Sequence, residues 1–551
     1  MPQGTPTPWS YFLIRLLFKF VLKIFYGTIV VEGIENIPQT GLPCVVCANH
    51  TNSLTDALLL VTAIPSRKRN MLRLTAKSTQ FGKKTLTSWL IESAGTVPIK
   101  RRKDFAEGSA DNTDVMAKLI EALEQGDAVC LFPEGASRYH PTIAPLKTGV
   151  ARIVSDTLSR NRDNPDFEIS ILTCSVTYMH RQHFRSDVLV TFNPPFRFRP
   201  RDNPELLAPV NYDHIRLVTA QMHRQIANGT FDAPTWDLIR TARTATPLYA
   251  PLGTTMSLGD YVRVTRTFLE AFKAERIPSD ASSETDSDPA ETTEIVRLKT
   301  DLRVCALSFV SIRTLYSSMT RQAYQATLFR LKIRDDRIRR PLPRPIILYR
   351  IFLRLSWAAF LSSISLAGLV LWTPVALTTF YAVHNFKKTG PVWDTWDEIA
   401  QYKLVYGLVS GVCVWLGMIT LTLPFAPITA VAVPILMWMS LRWFEDAVSA
   451  FRAFLALVRL LLVPPATLAQ LRAAREDLHA RVLDLAVHGL GLPEDPETYF
   501  VENGEKQKGR VTGRWMGRAK YFSVRRRRKR DWNETLRLYE QFDYPSDDVQ
   551  T

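Results

Sequence analysis

The stretch Asn49-His50-Thr51-Asn52-Ser53-Leu54-Thr55-Asp56 sets a histidine and an aspartate with five residues between them, just after an apolar strand-like segment. A carboxylate within a turn or two of an imidazole can accept one ring N–H. That fixes the tautomer and stabilises the imidazolium, so the other nitrogen is able to take a proton from a hydroxyl. The same histidine also suits a helix cap. A second cluster, Gly95-Thr-Val-Pro-Ile-Lys-Arg101 followed by Arg102 and Lys103, joins a glycine turn, a short strand and a basic group. It fits a phosphate contact as well as a solvated strand end. A third, Phe132-Pro-Glu-Gly-Ala-Ser-Arg138, closes an apolar strand. Pro133 and Gly135 force a turn that presents Glu134 at the strand's carboxyl edge, where open α/β sheets bind ligands. A turn alone does not explain Glu134, Ser137 and Arg138 together. The fourth, Ile171 to Tyr178 running into His180-Arg-Gln-His-Phe-Arg-Ser186, reads either as the wall of an acyl groove with added phosphate contacts or as a core strand and a surface loop.

The elements that must position these clusters alternate between strand and helix over about residues 28–203. Strands are expected at 27–33, 44–48, 128–132, 169–178 and 188–192, and helices at 53–63, 115–125 and 149–159. This alternation predicts an α/β unit with a largely covered sheet. Residues 204–350 read as mainly helical and polar, interrupted by an acidic run at 279–293 without a large apolar side chain, which suits a solvated linker. No internal repeat is found. After Val463-Pro464-Pro465 a helix continues to about Val487, before a basic end containing Arg525 to Arg530.

The chain has 551 residues, suited to three or four domain-sized units. It is 46% hydrophobic with 28 Phe and 12 Trp, which excludes a disordered chain. Six cysteines, at 44, 47, 130, 174, 305 and 413, exclude a disulfide scaffold and suit a reducing compartment. The Cys44/Cys47 pair fits zinc or redox chemistry by spacing. No second pair lies nearby, and a position inside a buried strand favours core packing. A net charge of +16 is compatible with nucleic acid, an anionic membrane surface or acidic small ligands.

Two long uncharged stretches select the membrane. Trp357 to Val383 is long enough for one crossing; Val405 to Ser440, with Pro424, Pro427 and Pro434, fits one kinked span plus an interfacial piece, or two short half-spans. The basic residues from Arg330 to Arg354 and those after Arg442 place both flanks in the cytosol by the positive-inside rule, hence an even number of crossings. At the start, Trp9 to Tyr26 is apolar except for Ser10 and the cations Arg15, Lys19 and Lys23, four apart. This describes an interfacial or membrane-embedded helix over residues 1–27. It is not a signal peptide, since lysines interrupt it and no small-residue cleavage site follows. The basic run at Arg525 to Arg530 lacks interleaved aromatics, so no nucleic-acid partner is expected.

In their order, the four clusters resemble the glycerolipid acyltransferases of the PlsC-like superfamily, and more narrowly the fungal glycerol-3-phosphate/dihydroxyacetone-phosphate acyltransferases. The early Val31-Glu-Gly-Ile-Glu-Asn-Ile-Pro38 and the two late apolar stretches also suit that group. Two positions depart from the superfamily pattern. Five residues rather than four separate His50 from Asp56, as in the fungal branch, and Thr173 stands where proline is usual. The resemblance implies an α/β acyltransferase domain, a mixed sheet covered by helices, at 28–203. A helical region at 204–350, transmembrane helices at 351–445 and a cytosolic helix and tail at 446–551 would follow. It implies sn-1 acylation of glycerol 3-phosphate, and of dihydroxyacetone phosphate, by acyl-CoA; sn-2 acylation of lysophosphatidic acid is the alternative. His50 oriented by Asp56 would be the general base, with no covalent intermediate. Arg101, Glu134, Gly135 and Arg138 would position the phosphorylated acceptor, and backbone amides at the helix start near His50 would stabilise the oxyanion. The implied partners are acyl-CoA, glycerol 3-phosphate and the lipid bilayer, with no cofactor and no metal. The implied location is the endoplasmic reticulum membrane, with the catalytic domain facing the cytosol.

Overall fold

A computed structural model describes residues 4–78, 81–82, 86–100, 113–181, 183–250, 256–274, 331, 338, 343–389 and 398–503. Arg101, the acidic run at 279–293 and the basic run at Arg525 to Arg530 lie outside these residues. The chain forms two compact units, one drawing on Met1–Asp232 and Val383–Val405 and the other on most of the remainder.

The first unit is built on a mixed sheet. Its strands β1 (Thr28–Glu32), β2 (Cys44–Ala48), β3 (Leu72–Arg73), β6 (Ala128–Leu131), β7 (Ile169–Tyr178) and β8 (Asp187–Phe192) run in the order β1-β8-β7-β2-β6-β3. β9 (Phe196–Phe198) pairs with β7 as well, and β4 (Thr75–Lys77) with β5 (Val97–Ile99) forms a separate two-stranded ribbon. β2 lies parallel to both β6 and β7, whereas β7 and β8 are antiparallel. All residues of β2 and β7 are buried, β2 as an unbroken apolar strand and β7 with Ser170, Thr173, Ser175 and Thr177 among its buried side chains. Because β6, β2 and β7 are parallel neighbours, their carboxyl ends share one edge. Three of the four clusters emerge there.

Helices cover the sheet through stripes at helical spacing. Leu119, Ile120 and Leu123 of α4 (Thr113–Glu124) and Val150, Ile153, Val154 and Leu158 of α5 (Gly149–Arg160) pack with Val45, Cys47, Val129, Ile169 and Ile171. Each fully buried aliphatic side chain of this kind contributes roughly 1.5–3 kcal/mol. Helix α6 (Tyr212–Ala227) adds Ile215, Val218 and Met222 to the same core. The α/β unit therefore extends beyond residue 203, since α6 completes the sheet's cover. Cys44, Cys47, Cys130 and Cys174 are free and buried. Burial pushes the Cys44 and Cys47 thiols upward, consistent with inert core residues.

Helix α1 (Trp9–Phe25) docks by one face. Tyr11, Val21, Leu22 and Phe25 are buried, and the Tyr11 hydroxyl accepts the Leu72 N–H at 2.9 Å. Arg15 is engaged with the Ile64 carbonyl. The opposite face shows Trp9, Phe12, Leu13, Leu16, Leu17 and Phe20 to the outside.

In the second unit α7 (Trp236–Tyr249) pairs with α8 (Leu258–Ala274), Tyr249 meeting Phe268 ring to edge. Among the described residues, three helices are long and apolar enough to cross a membrane: α9 (Arg344–Thr389), α10 (Ile399–Leu421) and α11 (Ala426–Leu462). Val405 to Ser440 is thus two helices meeting at the 3-10 turn Leu423–Phe425. The Trp372 indole donates to the Met437 carbonyl at 2.8 Å, and Gly368 lies against Ser440 so closely that a methyl there would collide with it. Small residues at such contacts let membrane helices approach.

Candidate active site

The site grows from the end of β2. Asn49 extends the β2–β7 ladder with its side chain, donating to the Val176 carbonyl at 2.9 Å and accepting the Val176 N–H at 2.7 Å. This fixes the next residue, His50, whose ring lies 4.0 Å from that of Phe132 in a near-parallel stack. His50 Nδ1 and Asp56 Oδ2 are 2.9 Å apart. An ionised carboxylate only accepts, so the ring proton belongs on Nδ1 and the lone pair on Nε2. No protein hydrogen bond falls on Nε2 among the described residues.

Asp56 is fully buried and multiply bonded. Oδ2 also accepts the N–H groups of Thr51 at 2.9 Å and Asn52 at 2.8 Å, and Oδ1 accepts the Tyr178 hydroxyl at 2.5 Å. Burial first, then the Asp56 charge, raises the Tyr178 phenol well above its ordinary value, so it stays a donor. Tyr178 lies 122 positions from Asp56. No spacing in the sequence points to the pair, and only the shared sheet edge brings them together. Replacing Tyr178 by phenylalanine leaves a buried carboxylate oxygen without its donor, at an expected cost of roughly 1–3 kcal/mol. Thermal unfolding of the detergent-solubilised protein measures this; an unchanged midpoint contradicts the bond.

Glu134 stands at the end of β6, buried, with both oxygens engaged. Oε1 accepts the His50 N–H at 2.6 Å and Oε2 the Ala144 N–H at 3.1 Å. Burial raises its carboxyl pKa, while these two bonds pull it back down. The structure thus gives Glu134 a clear task of its own, holding the backbone of the histidine. Gly135 ends the turn begun at Phe132, donating its N–H to that carbonyl at 3.0 Å with φ +78. Lys147 reaches across it, so a Cβ at Gly135 would stand 2.3 Å from Nζ. Arg138 donates its backbone N–H to the His50 carbonyl at 3.1 Å. His50, Asp56, Glu134, Gly135 and Arg138 are therefore brought together, whereas Arg101 lies outside the described residues.

The fourth cluster contributes beyond Tyr178. Arg181 donates to the Thr51 carbonyl at 2.6 Å and covers the Tyr139 ring at 3.6 Å. Thr173 is buried and donates to Gln225 of α6 at 2.6 Å, which makes it a packing contact.

The extra residue between histidine and aspartate is absorbed at Ser53. Thr55 donates its N–H to the Asn52 carbonyl at 3.0 Å, closing a tight turn in which Ser53 has φ 45 and ψ −132. One expectation fails here. The amides at this helix start are all spoken for: His50 by Glu134, Thr51 and Asn52 by Asp56, Ser53 by the Ser137 hydroxyl at 2.9 Å, and Leu54 by Gln401 at 3.4 Å. They are not available to an oxyanion, because α2 (Leu54–Ala63) uses them to hold the histidine turn.

The acyltransferase family matches residues 28–177. The chain is 24% identical over 431 residues to an uncharacterized acyltransferase of Schizosaccharomyces pombe, covering 72% of this chain and 58% of that one. It is 21% identical over 418 residues to glycerol-3-phosphate O-acyltransferase 2 of Saccharomyces cerevisiae, covering 55% of each. A chloroplastic 1-acyl-sn-glycerol-3-phosphate acyltransferase of Brassica napus is 27% identical over 155 residues, 27% of this chain and 40% of that one. The chain spans a little over half the length of the first two relatives. The crystal structure of the 1-acyl-sn-glycerophosphate acyltransferase PlsC from Thermotoga maritima overlaps 39% of this chain and 80% of that one at 18% identity, with a TM-score of 0.27. Residues 28–177 form a domain of the acyltransferase family.

Proposed function

We propose that this protein transfers an acyl group from acyl-CoA to the sn-1 hydroxyl of glycerol 3-phosphate, forming lysophosphatidic acid. The observation that carries the reading is the His50–Asp56 pair at the sheet's carboxyl edge, with Nδ1 bound and Nε2 unbonded among the described residues. Nε2 takes the hydroxyl proton as that oxygen attacks the thioester carbonyl. The tetrahedral intermediate collapses, the C–S bond breaks, and the CoA thiolate receives the proton from the imidazolium. No covalent enzyme intermediate is formed.

In this reading Arg101 and Arg138 hold the acceptor phosphate, joined by Lys147 from its place over Gly135. Support for glycerol 3-phosphate over lysophosphatidic acid comes from the extent of likeness. Glycerol-3-phosphate O-acyltransferase 2 of Saccharomyces cerevisiae aligns over 418 residues, whereas the 1-acyl-sn-glycerol-3-phosphate acyltransferase of Brassica napus aligns over 155. We place the α/β domain on the cytosolic face of the endoplasmic reticulum membrane, anchored by the apolar helices. The exposed stripe of α1 lies among the headgroups, and Lys19 and Lys23 lie near lipid phosphate.

The test is an acceptor panel. Purified protein in phospholipid vesicles receives labelled oleoyl-CoA with glycerol 3-phosphate, dihydroxyacetone phosphate or lysophosphatidic acid. Label is expected in lysophosphatidic acid from the first acceptor; label only in phosphatidic acid from the third overturns the choice of acceptor.

A further inference from the structure

The turn between the two dyad residues is held from outside the motif. Ser53 has φ 45 and ψ −132, close to the first corner of a type II′ turn, a position glycine normally fills. A side chain there is strained and persists only where neighbours fix it. Ser53 is also the residue before the first turn of α2, yet its hydroxyl does not cap that helix. It turns outward and donates to Gln401 Oε1 at 3.1 Å; the same oxygen accepts the Leu54 N–H at 3.4 Å. Gln401 thus does the capping that Ser53 forgoes, from 348 positions away. On the other side the Ser137 hydroxyl accepts the Ser53 N–H at 2.9 Å. Gln401 stands in the first turn of α10, where Ile399, Ala400 and Leu404 are buried, and belongs to the same compact unit as the dyad.

We infer that Gln401 and Ser137 are positioning residues for acyl transfer, acting through Ser53 to keep Asp56 in register with His50. Five intervening residues do not fit a plain entry into α2, so one of them must be turned out, and Ser53 is that residue. Without its outer clamp the turn relaxes toward ordinary φ and carries the start of α2 with it. Asp56 then shifts against a ring whose own backbone is fixed by Glu134 and Arg138. The first turn of an apolar, membrane-length helix thereby takes part in setting the catalytic pair.

The inference rests on His50 as the base, and the experiment separates the two. In the full-length protein in vesicles, Gln401→Leu removes the acceptor at similar size. We expect kcat to fall about tenfold with KM for both substrates held within about twofold, the pattern of a lost transition-state alignment. Gln401→Glu keeps an acceptor oxygen and restores most of the rate. Adding Ser53→Gly to Gln401→Leu also recovers most of it, because glycine holds positive φ without a clamp. A wild-type kcat in Gln401→Leu overturns the inference. So does a loss confined to KM, or one that tracks folded yield and is not recovered by Ser53→Gly. An active His50→Ala variant defeats the base assignment instead; an inert one beside a fully active Gln401→Leu defeats only the positioning role.

Discussion

Replacing His50 by alanine is expected to lower acyl transfer by about 10²–10⁴-fold, the range a positioned general base supplies. The variant should still fold, because its neighbours hold the backbone at this position. The His50 N–H goes to Glu134 and its carbonyl to Arg138, and alanine keeps both. Asp56 loses one of its four donors and retains Thr51, Asn52 and Tyr178. The stack on Phe132 is lost, a modest packing term. Initial rates at saturating acyl-CoA and acceptor, beside a thermal unfolding midpoint, separate the two effects. Near-wild-type turnover in a folded His50→Ala protein defeats the general-base assignment. A fall in rate matched by a fall in folded fraction assigns the histidine to structure.

What the sequence makes visible is whatever lies close together along the chain. His50 with Asp56, and Glu134 with Gly135 and Arg138, sit in short runs at the ends of apolar strands. Parallel pairing of β2 with β6 then brings the runs to one edge. Partners far apart in sequence leave no such trace: Tyr178 reaches Asp56 across 122 positions and Gln401 reaches Ser53 across 348. The one-residue excess between His50 and Asp56 is countable, but serine gives no hint that it adopts the left-handed corner. Strands such as Leu72–Arg73 and Phe196–Phe198 are too short for alternation to register. In the apolar stretches, proline is an ambiguous guide. Pro424 falls in the break between two helices, whereas Pro374 and Pro434 lie inside helices. A membrane helix tolerates proline where neighbours satisfy the freed carbonyls, so residue type alone does not separate a kink from an end.

Asp56→Asn isolates the charge from the geometry. With its amide oxygen in the place of Oδ2, asparagine still accepts from His50 Nδ1, Thr51 and Asn52, and its NH₂ faces Tyr178, whose hydroxyl rotates to accept. The turn therefore keeps its bonds, and only the negative charge is gone. Proton transfer to Nε2 then creates an imidazolium beside a neutral amide in a buried place, where screening is weak and the missing attraction counts heavily. In the reverse orientation the NH₂ would donate to Nδ1 and put the ring proton on Nε2, leaving no lone pair to take the hydroxyl proton. Both orientations impair the base, and kcat is expected to fall by roughly 10³-fold or more. The thermal midpoint should fall far less than in Asp56→Ala, which takes the acceptor from all four donors at about 1–3 kcal/mol for each buried one. Wild-type kcat in Asp56→Asn makes the carboxylate a scaffold for the turn alone and places the source of basicity elsewhere in the site.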